Sequence, residues 1–109
     1  MYAIQLECGM NPSNGQHCIL RAYLLREDED GTLSSGDVPL KEKETVRSFF
    51  SQPHLLLGMF RVVERICAEK GLQFQQGPVP TEDLPGGNRT YTYILKEGRV
   101  PGNPRREYA

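Results

Sequence analysis

The chain has 109 residues, 38% of them apolar and 25% charged, with a formal net charge of −1. That length suits one domain with its own core, and near-neutrality gives no overall attraction to nucleic acid or an anionic membrane. No apolar run approaches the ~20 residues of a membrane-spanning helix, so no membrane partner is expected. Charge is nonetheless uneven: residues 26–44 carry three basic and seven acidic side chains, and residues 85–109 carry five and two.

Residues 2–8 alternate, with Tyr2, Ile4, Leu6 and Cys8 on one face, and read as a strand. Nothing there has the basic-then-apolar pattern of a secretory leader. The expectation is a cytoplasmic chain whose cysteines, Cys8, Cys18 and Cys67, stay reduced. Pro12 and the pair Asn14-Gly15 mark a turn, so residues 17–25 return as the second strand of an antiparallel hairpin. Pairing Cys8 with Cys18 sets Leu6 opposite Leu20, Ile4 opposite Ala22 and Tyr2 opposite Leu24.

That second strand is apolar on both faces. Cys18, Leu20, Ala22 and Leu24 point one way; Ile19, Tyr23 and Leu25 point the other, with Arg21 among them. A strand with one face in water does not need a second apolar stripe. The stripe is therefore either covered within the fold, by Val46, Phe49 and Phe50, or it is a binding surface.

Glu27, Asp28, Glu29 and Asp30 form an acidic turn, without the spacing of a calcium loop. It is a solvated turn or a patch for a basic partner. Residues 32–40 read as loop, and residues 41–50 as a short helix or a short strand. The clearest element follows. Ser51 suits a helix cap, Pro53 is tolerated in the first turn, and Gly71 after Lys70 ends the run. Leu56, Met59, Phe60, Val63, Ile66 and Cys67 keep helical spacing and predict the packing face, with Gly58 as a costly interior glycine.

Residues 72–76 alternate as a strand, 77–88 read as a Pro/Gly-rich contact loop, and 90–96 as a final strand. The predicted fold is α+β: a two-layer sandwich of about four antiparallel strands in β-β-α-β-β order, with one long helix on one face. The domain spans 1–98, and 99–109 is expected to be a flexible C-terminal tail.

No catalytic set emerges. Cys8, His17 and Cys18 lack a fourth ligand and the short spacing of a zinc site, so no metal and no cofactor are expected. Cys67 and His54 lie 13 residues apart on the predicted helix, ~20 Å by helical rise, too far to act as thiol and base. Arg89, Tyr91, Tyr93, Lys96 and Arg99 mix basic and aromatic residues in the way that stacks single-stranded bases. Tyr91, Tyr93 and Leu95 nonetheless share one face, and core tyrosines are the simpler reading. The leading expectation is a non-enzymatic protein-interaction module: an inhibitor, adaptor or accessory factor of the kind phages and mobile elements carry. Its partner surface is Ile19, Arg21, Tyr23, Leu25 and the acidic residues 27–30, facing a protein partner or a second copy of the chain. A single-stranded nucleic-acid module is the alternative.

Overall fold

Strands β1 (Tyr2–Met10) and β2 (His17–Glu27) form the expected hairpin around the turn at residues 11–16. A computed structural model describes residues 1–98; the tail expected at 99–109 lies outside them. The remaining elements are strand β3 (Leu33–Val38), the single-turn helix α1 (Glu42–Thr45), the long helix α2 (Gln52–Lys70), strand β4 (Leu72–Asp83), a 3-10 turn at Pro85–Gly87 and strand β5 (Arg89–Glu97). The strands make one antiparallel sheet in the order β3-β2-β1-β5-β4, and α2 covers one face. No helix among the described residues is long and apolar enough to cross a membrane.

The sheet has five strands rather than about four, because residues 33–38 pair with β2 instead of looping. An edge strand is held by backbone bonds along one side only, and its side chains can be polar. In β3 only Val38 is buried. At the opposite edge, β4 runs on to Asp83 through what reads as loop, carrying Pro78 and Pro80 and breaking register with β5 three times. Residues 41–50 divide between both expectations. Glu42–Thr45 is helical, and Phe49 bridges His17 through backbone bonds of 2.7 and 2.8 Å.

The hairpin register differs from the expected one. Leu6 faces Ala22, Ile4 faces Leu24 and Tyr2 faces Arg26; then a bulge intervenes, and Cys8 faces Ile19. Leu20 is the extra residue. A bulge of one residue reverses the alternation beyond it. Ile19 therefore turns in with Ala22 and Leu24, while Leu20 is left 40% exposed.

Helix α2 starts as its sequence predicts. The Ser51 hydroxyl accepts from the His54 backbone N–H, and Gly71 closes the helix at φ 69° with its N–H bonded to the Cys67 carbonyl. Its buried face is Leu55, Gly58, Met59, Val62, Val63, Ile66 and Cys67. Leu56 and Phe60, expected inside, are only half-buried, so the packing face is rotated towards Leu55 and Val62. Gly58 explains the turn. The Phe49 ring lies against its Cα and draws that side of the helix inward. Phe60 instead meets Phe74 edge-on, with ring centroids 5.3 Å apart.

Candidate interaction surface

Among the described residues the sheet face opposite α2 bears no helix, and strand alternation decides what it displays. On β1 the outward residues are Ala3, Gln5 and Glu7; on β5 they are Thr92, Ile94 and Lys96. Beyond the bulge, β2 turns Arg21, Tyr23 and Leu25 outward. Cross-strand register sets these into rows: Leu25–Ala3–Ile94, and beside it Tyr23–Gln5–Thr92. Ala3 is 7% exposed on this open face, because it sits in register between Leu25 and Ile94. Tyr23, Leu25 and Ile94 are half-buried. The Tyr23 hydroxyl, and after it Glu7, raise the Arg21 pKa further above its already high ordinary value.

The row along β2 continues to Glu27 and into the acidic turn. Arg26 pairs with Asp28 at 3.0 Å, and Asp30 accepts from the Thr32 backbone N–H at 2.9 Å. Those bonds from Thr32 hold the Asp30 carboxyl below its ordinary range. Around the turn lies a shallow cleft of ≈ 540 Å³, lined by residues 26–30 with Met1, Tyr2 and Glu97. Five of its side chains are acidic and only Arg26 is basic. An apolar strip thus ends in a negative rim.

Ile19 does not belong to this surface. It is 1% exposed, turned inward by the bulge, and near Phe49. Phe49 therefore covers the first residue of the expected stripe, whereas Tyr23 and Leu25 lie on the bare face. Val46 and Phe50 do not cover the stripe: they are 69% and 74% exposed, and the Phe50 ring lies against His54.

The basic and aromatic set on β5 is divided between the two faces. Tyr91 and Tyr93 are buried beneath α2, at 4% and 0% exposure, so neither ring presents a face to a base. The Tyr91 hydroxyl accepts from Gln52 Nε2 at 3.0 Å. Arg89 is paired with Asp83 at 2.9 Å, Lys96 points to the open face, and Arg99 lies outside the described residues. The strand alternation that aligns the tyrosines with Leu95 removes them from solvent.

The thiols are placed for packing. Cys8 Sγ is 3.4 Å from Met59 Sδ, and burial, with Cys18 and Glu7 nearby, pushes its pKa up to about 12. Burial also raises Cys67. Such thiols are poor nucleophiles. Cys18 lies beyond the bulge opposite Gly9 and is unbridged. Among the described residues no group of three or more His, Cys, Asp or Glu converges to hold a metal ion.

The sequence reading missed Leu20, Ala3 and Ile94 as members of the open face. Alternation alone places Ala3 and Ile94; nothing in the sequence announces the bulge that exposes Leu20. Compared with models of known families, with curated proteins and with solved structures, the chain matches none.

Proposed function

We propose that this chain is a non-enzymatic protein-interaction module, an inhibitor, adaptor or accessory factor working in a reducing compartment. Its open sheet face docks a protein that bears a basic patch. The observation that carries this reading is the apolar strip of Tyr23, Leu25, Ala3 and Ile94, which no helix among the described residues covers and which runs along β2 into the acidic turn. Apolar centres supply affinity once dried, tyrosine is a frequent anchor there, and a charged rim steers and orients the encounter. The acidic rim favours a basic partner over nucleic acid and over a second copy, which would bring like charges together.

The test compares the intact chain with a Tyr23→Ala, Leu25→Ser variant as baits. The reading expects a basic protein held by the intact chain, weakened by rising salt, and lost from the variant although both melt alike. Retention of that protein by the variant overturns the assignment of the face. Capture of nucleic acid in its place, or concentration-dependent dimerisation abolished by the variant, favours the other occupants.

A further inference from the structure

A cavity lies on the helix side, between α1, residues 46–50 and α2, with a built wall and a fixed charge. The cavity measures ≈ 240 Å³. Its apolar lining is Ile19, Phe49 and Val62, and its polar lining is Lys43, Glu44, Arg47, Arg61 and Arg65. Four cations face one carboxylate, and that carboxylate is already occupied. Arg65 Nε and Nη2 donate to the two Glu44 oxygens at 2.9 and 2.6 Å, while Nη1 reaches Glu69 at 3.1 Å. Arg65 and Glu44 cancel as a pair and hold α1 against α2. Lys43, Arg47 and Arg61 form no ion pair among the described residues.

The aromatic wall is fixed on two sides. Phe49 is bridged to His17 through its backbone, and its ring rests on Gly58, where any Cβ would overlap it. Arg47 stands over that ring, 5.4 Å from its centroid. Glycine inside a helix is unfavourable relative to alanine. Here it seats the ring that makes the pocket.

We propose that this pocket binds a phosphate monoester carrying a small apolar or aromatic body. Three uncompensated cations match a phosphate of charge near −2 better than a carboxylate of −1, and two guanidinium forks suit phosphate oxygens. The aliphatic stems of Lys43, Arg47 and Arg61, over a floor of Phe49, Ile19 and Val62 that is at most 5% exposed, accept the ester's apolar group. At ≈ 240 Å³ the space is below the usual range for drug-sized ligands, which limits the guest to a group about the size of a phenyl phosphate. The ester belongs either to a free small molecule or to a phosphorylated tyrosine of a protein.

Titration calorimetry of the full chain at low ionic strength tests this with phenyl phosphate, inorganic phosphate and benzyl alcohol. Phenyl phosphate is expected to bind with Kd below about 1 mM and roughly tenfold more tightly than inorganic phosphate, with benzyl alcohol not binding. Arg61→Gln, at an exposed and unpaired position, weakens it roughly tenfold and leaves the melting temperature unchanged; Arg47→Gln acts in the same direction. A phosphotyrosine peptide binding more tightly than phenyl phosphate assigns the source to a protein, and weaker peptide binding assigns it to a free ester. Equal affinity for phenyl phosphate and inorganic phosphate overturns the proposal, as does indifference to both arginine substitutions. Tyr23→Ala leaves this binding unchanged, so the pocket and the sheet face stand or fall separately.

Discussion

Arg65 grips Glu44 with two parallel hydrogen bonds across 21 residues of chain, tying the single turn of α1 to the middle of α2. Burial pulls the Glu44 carboxyl upward, but the bonds from Arg65 and from the Lys41 backbone N–H outweigh it and hold it below its ordinary value of 4.5. A depressed carboxyl stabilises the fold fully above its unfolded pKa and loses that contribution as pH falls through the folded value. Stability should therefore decline with acid below about pH 4.5 in part through this pair. Glu44→Gln should cost about 1–2 kcal/mol at pH 7, between the exposed-pair and buried-pair limits, and flatten the acid side of the profile. Denaturant melts from pH 3 to pH 7 would show it; an unaltered profile would mean the pair contributes nothing.

Gly58→Ala ought to gain helix propensity and yet lose stability. The added methyl meets the Phe49 ring, and overpacking typically costs ~1–3 kcal/mol, more than the ~1 kcal/mol gained. Combining it with Phe49→Ala should recover part of the loss relative to the sum of the single changes. Strict additivity in that double-mutant cycle would place the ring elsewhere.

Tyr93 is fully buried, and its hydroxyl has no hydrogen-bond partner among the described residues. Desolvation, with Cys8 and Tyr91 nearby, raises its pKa. Tyr93→Phe removes the unsatisfied group while keeping the ring, so the expected change lies between zero and a gain of about 1–2 kcal/mol. A clear loss in thermal melts would reveal that the hydroxyl is satisfied in solution.

Ile19 and Tyr23, four residues apart on one strand, should respond in opposite ways. Ile19→Ala empties part of the core and is expected to cost ~2–5 kcal/mol of stability without touching the open face. Tyr23→Ala should leave the unfolding midpoint nearly in place and weaken partner binding by ~2 kcal/mol or more. If Tyr23→Ala destabilises the chain as strongly as Ile19→Ala, the face is core and not interface.

The thiols should react in order of access. At pH 8 a thiol reagent is expected to modify Cys18 first, with Cys8 protected until the chain unfolds, since its pKa is pushed up to about 12 and it is 4% exposed. Mass mapping of early and late products checks this. Early labelling of Cys8 would contradict its burial.

Much of the fold was legible because its strongest signals are local. The Ser51 cap, the Gly71 stop and the spacing between them specify α2, and the alternation of residues 2–8 specifies β1. Three features were not legible. The polar residues of β3 are strand only because β2 offers them an edge. The bulge at Leu20 depends on both strands at once, so it exchanged Leu20 for Ile19 on the open face. The rotation of α2 depends on Phe49, a residue outside the helix altogether. At the sites the same distinction holds: Arg21, Tyr23 and Leu25 follow from alternation, whereas Arg47 and Arg61 meet only because residues 41–50 fold back against α2.

The two outer strands of the sheet also differ in how they receive another strand. Along β4, Pro78 and Pro80 lack the N–H that a neighbour would need, and three register breaks interrupt any straight ladder. Those features disfavour fibre-like stacking through that side. β3 has no proline and an even register, so accidental sheet extension has one direction open to it, guarded by the small polar Ser34 and Ser35 and the charge of Asp37. Under prolonged storage or crowding, that short edge is where unwanted chain-to-chain growth would begin.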